Sequence, residues 1–168
     1  MIDWLDRNQV ILFSVAGVVC LIALAIAYHR LRLRRRMIRQ GISGLGNGPR
    51  FRLVDAVCHA VWQRGKVDER RLKRALEIAR DVTDMNYDDV HIRELVHRAD
   101  RLLLPFNFRW MRADLSQDEK LVIFNAAASV MLASGRLSLS DQRLLRSLSR
   151  GLGLKASDLR DLSRVMRD

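Results

Sequence analysis

The feature that most constrains this chain is the run VILFSVAGVVCLIALAIAY over residues 10–28. It carries no charge and nothing more polar than Ser14 before Tyr28. Wound as an α-helix at about 1.5 Å per residue, it reaches roughly 28 Å, close to the ~30 Å hydrocarbon core of a bilayer. A core helix of a small soluble domain would show a polar face, and this run has none. It is therefore read as a membrane-crossing helix, with Trp4 and Tyr28 near the two interfaces, where amphipathic rings are favoured.

Charge sets the expected orientation. Arg30, Arg32, Arg34, Arg35, Arg36 and Arg39 crowd in directly after the apolar run, whereas only Asp3, Asp6 and Arg7 precede it. The cytoplasmic flank carries the Lys/Arg excess, so the N-terminus is predicted outside and the remainder inside. A cleaved signal peptide is the competing reading, because Ala25-Ile26-Ala27 resembles a cleavage site. Such a peptide, however, puts its positive charge before a shorter apolar core. The chain has a net charge of +11, of which residues 29–50 supply +7, while residues 51–168 hold 22 Lys/Arg against 17 Asp/Glu. Basicity is thus concentrated beside the membrane. The six arginines are candidate contacts to anionic lipid headgroups, at about 1 kcal/mol per basic residue. Nucleic acid is the disfavoured partner, because membrane adjacency already accounts for the same arginines.

Within the apolar run, Ala16, Cys20, Ala23 and Ala27 recur at helical spacing and place small side chains on one stripe. A second copy of the helix could approach there and form a homodimer. Cys20 and Cys58 are the two cysteines. One falls in the membrane run and the other on an apolar helix face, so no disulfide is expected, as befits a reducing compartment.

The expected organisation is a short outside tail (residues 1–9), the membrane helix (10–28), a basic juxtamembrane segment with a Gly-rich linker (29–50), and a cytoplasmic helical domain (51–168). The linker reading rests on four glycines and Pro49 within residues 41–49, which argue against helix or strand. After it the periodicity is helical throughout. Helix one is placed at residues 51–63, with Leu53, Val54, Val57, Cys58, Val61 and Trp62 inward. Helix two follows at 69–83, capped by Asp68, and helix three at 89–103, capped by Asp88. The capping box Ser116-Gln117-Asp118-Glu119 opens helix four at 117–133. Helix five is capped by Ser140 and ends at Gly151 or Gly153, and Ser157 starts a last helix bearing Leu159, Leu162, Val165 and Met166. No strand signal competes, so the domain is expected to be all α.

An internal repeat overlies this pattern. The segment from Val54-Asp55-Ala56 to Gly65-Lys66-Val67 aligns with that from Phe124-Asn125-Ala126 to Gly135-Arg136-Leu137, which suggests two helical hairpins of one design. With the ending Leu148-Ser149-Arg150-Gly151-Leu152-Gly153-Leu154, the repeat resembles the TerB-like family over about residues 51–166. That helical domain occurs in tellurite-resistance proteins and as the N-terminal cytoplasmic part of membrane-anchored DjlA-type co-chaperones. The resemblance implies a two-hairpin bundle, a bacterial inner membrane, and a role in envelope or metal-oxyanion stress. The family's turn is Asp-Gly-x-aliphatic with a later acid, and those acids are associated with metal binding in some members. Here Arg64 and Ser134 stand at the two Asp positions, and Arg71 and Asp141 at the later ones. A divalent ion needs several converging oxygens, so no metal site is expected. No His-Pro-Asp tripeptide of a J domain is present.

Other constellations are weaker still. Asp84-x-Asn86-x-Asp88 opens like a calcium loop, but Asp89 and Leu95 replace its defining Gly and Glu. His91, Glu94, His97 and Asp100, spaced by three, drift around a helix and would not converge, and His59 is read as a boundary histidine. No nucleophile triad, phosphate loop or catalytic acid pair is recognisable, so neither enzyme activity nor a cofactor is expected. The aromatic connector Phe106, Phe108, Trp110 and Met111 either closes the core between the hairpins or forms a partner-binding patch. The expected function is a non-catalytic protein-interaction module held at the membrane; a metal-ion sensor is the alternative.

Overall fold

The computed structural model describes residues 2–63, 65–100, 104–155 and 158, with side chains from residue 13 onward. The described chain is mostly helical, with six α-helices and one very short β-ladder. Contacts separate it into two units, Met1–Ile38 and Arg39–Asp168. The expected last helix, with Leu159, Leu162, Val165 and Met166, lies outside the described residues, as do Trp4's side chain, Arg64 and Leu102.

Helix α1 (Ile2–Ser43) is a single element of 42 residues. It therefore runs well past the apolar stretch and through the first third of the Gly/Pro-rich stretch expected as a linker. Gly44, at φ +65°, ends it in the left-handed conformation that glycine adopts without a Cβ penalty. Pro49 then takes the first position of α2 (Pro49–Ala60), where its fixed φ suits the helix and its missing N–H costs nothing. The Gly/Pro cluster is thus a stop signal and a start signal, and the irregular segment shrinks to residues 44–48. Gly41 stays helical even though glycine in a helix costs about 1 kcal/mol. Tertiary bonds on either side of it offset that cost: Arg39 pairs with Asp55, and Tyr87 Oη donates to the Ser43 carbonyl at 2.5 Å.

In the second unit α2 is the central helix. Every residue from Phe51 to Ala60 is buried, including Arg52, Asp55 and His59. It packs most extensively on α5 (Gln117–Leu132), then on α3 (Glu69–Thr83) and α4 (Asp89–His97). Burial on all sides explains why α2 shows no clean polar face. Where a turn was expected between α2 and α3, β1 (Trp62–Gln63) pairs antiparallel with β2 (Lys66–Val67) around Gly65 at φ +80°. This two-residue ladder is a small departure from an all-α unit.

Helix starts follow the capping chemistry. Asp68 accepts from the Arg71 N–H to cap α3, Asp88 accepts from the His91 N–H to cap α4, and Ser116 with Glu119 forms the box that opens α5. Helix α2 spans Pro49–Ala60 rather than residues 51–63, because Trp62 and Gln63 enter the ladder, and two other boundaries differ from expectation. Helix α4 stops at His97, short of residue 103, because the Asp100 N–H donates to His59 Nε2 at 3.1 Å. Helix α6 (Leu139–Leu152) is capped by Ser138, since Asp141 reaches back to the Ser138 N–H at 2.8 Å; Ser140 merely touches the Ser138 hydroxyl. Gly153, at φ +76°, closes α6. Gly151 lets α6 press on the connector, where a Cβ would overlap that of Phe108 and lie 2.8 Å from the Pro105 carbonyl oxygen.

Candidate functional site

Helix α1 carries its apolar residues outward on every side. Phe13 is 76 % exposed and Leu21 68 %, and Val15, Val18, Val19, Ile22, Leu24 and Ile26 are exposed with them. Soluble surfaces rarely leave such an area in water. Among the described residues, this is the one helix long and apolar enough to cross a membrane. Ala16, Cys20, Ala23 and Ala27 all lie on its exposed surface.

The arginine flank is less uniform than its sequence suggests. Arg30, Arg34 and Arg35 are exposed, and Arg32 and Arg36 are partly covered. Arg39 departs from the expected headgroup contact: it is 2 % exposed and bound inside the helical unit. Its Nε donates to Asp55 Oδ1 at 2.6 Å and its Nη2 to Asp55 Oδ2 at 3.3 Å, while Nη1 donates to the Arg98 carbonyl at 2.9 Å. Burial by itself would lower the Arg39 pKa, but the Asp55 charge and hydrogen bonds outweigh it and hold the guanidinium protonated. A planar fork that meets a carboxylate and a helix-end carbonyl together is a task for arginine, not lysine.

His59 lies one turn after Asp55 in the same layer. Its Nδ1 donates to the Asp55 carbonyl at 2.7 Å and its Nε2 accepts from the Asp100 N–H, so both partners select the neutral tautomer. The Phe108 ring meets it edge-on at 5.5 Å. Burial lowers the His59 pKa below its ordinary value, although Asp55 and Asp100 pull upward and Arg39 pushes down. The unfolded chain therefore binds a proton below about pH 6.5 that the folded chain resists. Stability is full above that pH and falls as pH drops through it, by at most about 1.4 kcal/mol per pH unit. Urea midpoints measured from pH 7.5 to pH 5.5 are expected to decline, and His59→Gln is expected to flatten the decline. An unchanged slope in the variant would assign the effect to other groups.

The second buried pair joins the two aligned repeats. Arg71 and Asp141 are 70 positions apart, the offset of the repeat, and each sits at the third position of its helix, after the caps Asp68 and Ser138. Arg71 is fully buried and Asp141 is 2 % exposed. Their bonds are bidentate, at 2.8 and 2.9 Å, and Arg71 Nε donates to Ser134 Oγ at 2.7 Å. Burial would raise the Asp141 carboxyl; hydrogen bonds from Arg71 and Ser138 overcome it and hold the group below the usual carboxylate range. A guanidinium thus fills the centre of the Ser134–Asp141 constellation, where a cation would have to sit.

The remaining candidate ligands serve separate partners. Asp88 binds His91, Glu94 pairs with Arg98, His97 stands edge-on to Trp62, and Asp84 caps α3. Among the described residues, no three His, Cys, Asp or Glu side chains group as metal ligands.

The connector forms two 3₁₀ turns, Pro105–Asn107 and Arg109–Arg112. Phe108 and Met111 are core residues, 1 % and 0 % exposed, which removes them from the expected partner patch. Trp110 is half-buried with its ring centroid 5.8 Å from that of Phe51, and Phe106 remains 44 % exposed. Comparison with family models, curated proteins and solved structures returns no match. The site therefore has to be read from its own chemistry. Sequence reasoning missed the two buried pairs, and it also passed over the exposed arginines of α6. The i, i+3, i+7 spacing of Arg143, Arg146 and Arg150 was the available signal for the latter.

Proposed function

We propose that the chain is a single-pass membrane protein whose helical unit works as a non-catalytic protein-interaction module close to the bilayer. The observation that carries this reading is the outward-facing apolar surface of α1, in a chain that also holds a folded helical unit. Four of that unit's buried charges, Arg39, Asp55, Arg71 and Asp141, are spent on one another. Its solvent-facing surface is then the working part. The arginine flank supports an outside N-terminus and a cytoplasmic helical unit. The TerB-like resemblance adds a bacterial inner membrane and an envelope or tellurite-stress context. Anionic lipids would meet Arg30, Arg32, Arg34, Arg35 and Arg36, and a second copy could pack on the Ala16–Cys20–Ala23–Ala27 stripe.

Photo-crosslinking of the full-length protein in its native membrane tests the module reading. Phe106→Ala is the informative variant, because Phe106 is exposed while its neighbours Phe108 and Met111 hold the core. A specific partner captured by the wild type and lost in Phe106→Ala, with unchanged helicity, is the expected result. A well-folded protein that captures nothing, or that binds calcium, zinc or manganese stoichiometrically by calorimetry, would replace this reading with an ion sensor.

A further inference from the structure

The exposed arginines of the helical unit are unevenly paired with acids. Three surface arginines on or next to α3 and α4 are neutralised: Arg74 by Glu77 at 3.1 Å, Arg93 by Glu69 at 2.9 Å and Asp89 at 3.1 Å, and Arg98 by Glu94 at 2.8 Å. Arg80 donates to the Tyr87 carbonyl, and exposed Arg70 makes no ion pair among the described residues. Helix α6 differs. Arg143, Arg146 and Arg150 form one exposed stripe, and the single acid of the helix, Asp141, is buried and already bound to Arg71. The connector that packs on α6 adds exposed Arg109 and Arg112, and the Arg112 guanidinium lies beside Gly153 at the end of α6. Among the described residues, none of these five arginines makes an ion pair.

We propose that this face is a second lipid-contacting surface, separate from the juxtamembrane arginines, which docks the helical unit on anionic phospholipid headgroups. Five guanidinium groups without counter-charges match a dense phosphate layer, which each can meet through a planar donor fork. The choice of lipid over another polyanion rests on the membrane-anchor reading above. A unit tethered by α1 meets the headgroup layer at a high effective concentration, so even modest attraction at each arginine suffices.

The test uses the full-length protein in vesicles of phosphatidylcholine, with or without phosphatidylglycerol. A fluorophore is placed on α6 through Gln142→Cys in a Cys20→Ser background. Buried Cys58, whose thiol is pushed up by burial beside Asp55, escapes labelling. Nitroxide-headgroup lipids report proximity. Quenching should be several-fold stronger with phosphatidylglycerol, and should fall to the phosphatidylcholine level at high salt and in R143Q/R146Q/R150Q, whose helicity is checked by circular dichroism. Equal quenching in the two lipids, or full quenching in the triple variant, would overturn the proposal. So would its abolition by duplex DNA at a concentration below that of accessible anionic lipid, which would mark a polynucleotide face instead. Alkaline extraction tests anchoring separately. If the chain is extracted, the anchor reading fails, and flotation of that chain with phosphatidylglycerol vesicles then decides the α6 face on its own: binding lost in the triple variant supports it, and no binding overturns it.

Discussion

Arg71→Met is expected to lower the unfolding free energy of the helical unit by about 3–5 kcal/mol, the cost of stranding one partner of a buried ion pair. Asp141 is 2 % exposed and would keep only its bonds to Ser138. Ser134 Oγ and the Ala60 carbonyl would also lose their donor. Asp141→Leu is expected to cost a similar amount by stranding Arg71. The double variant should recover most of the loss, since a buried pair exchanged for apolar groups of similar volume is often neutral or stabilising. It should still fall short of the wild type by about 0.5–2 kcal/mol, because Asp141 also completes the capping box of α6. Urea unfolding of the full-length protein in nanodiscs, followed by circular dichroism, gives the four corners of the cycle. Strictly additive losses would mean that the pair is not coupled across the repeats. Acid acts on the same pair. The carboxyl is held low, so its contribution is complete above the ordinary carboxylate pKa and disappears only as pH falls through the lowered folded value.

What the sequence disclosed follows the range of each interaction. Caps act within three residues, and Asp68, Asp88 and the Ser116–Glu119 box lie where local chemistry puts them. The apolar run needed no partner to be recognised. Cap signals still mislead when two compete: Ser138 and Ser140 both stand at the start of α6, and only the reach of Asp141 back to Ser138 decides between them. Gly44 and Pro49 read as a linker because the residues that punctuate helices are the residues that fill loops. The larger omissions are charges. An arginine in a basic run reads as solvated, yet Arg39 is buried 16 positions from its acid, and Arg71 is buried 70 positions from its own. Arg52 is a third case, with its guanidinium on the Met111, Ala113 and Asn47 carbonyls. All three serve backbone carbonyls at the ends of elements, where helices leave acceptors unsatisfied. Such pairings are set by the tertiary fold, and no local pattern announces them. The repeat came nearest, because its offset aligned Arg71 with Asp141 before the fold brought them together.

Asp55→Ala is expected to destabilise the helical unit by about 3–5 kcal/mol, for the same physical reason at the other buried pair. It leaves the Arg39 guanidinium buried with one acceptor, the Arg98 carbonyl, in place of a carboxylate at 2.6 Å. Arg39→Met strands Asp55 instead and should cost a comparable amount. Arg39→Lys keeps the charge but loses the fork that reaches Asp55 and Arg98 together, so it should recover only part of the loss. The pair also touches His59: the Asp55 charge raises the His59 pKa, and Asp55→Ala removes that support. The folded histidine then resists protonation more strongly, so the decline in stability below pH 6.5 should extend to lower pH than in the wild type. These variants also separate two roles for Arg39. A headgroup arginine changes how the protein depends on anionic lipid and leaves unfolding in neutral nanodiscs untouched. A buried staple does the reverse. If Arg39→Met unfolds like the wild type in phosphatidylcholine but loses its response to phosphatidylglycerol, Arg39 belongs with the flank. A large loss of stability in both lipids places it, with Asp55, in the core that holds the end of α1.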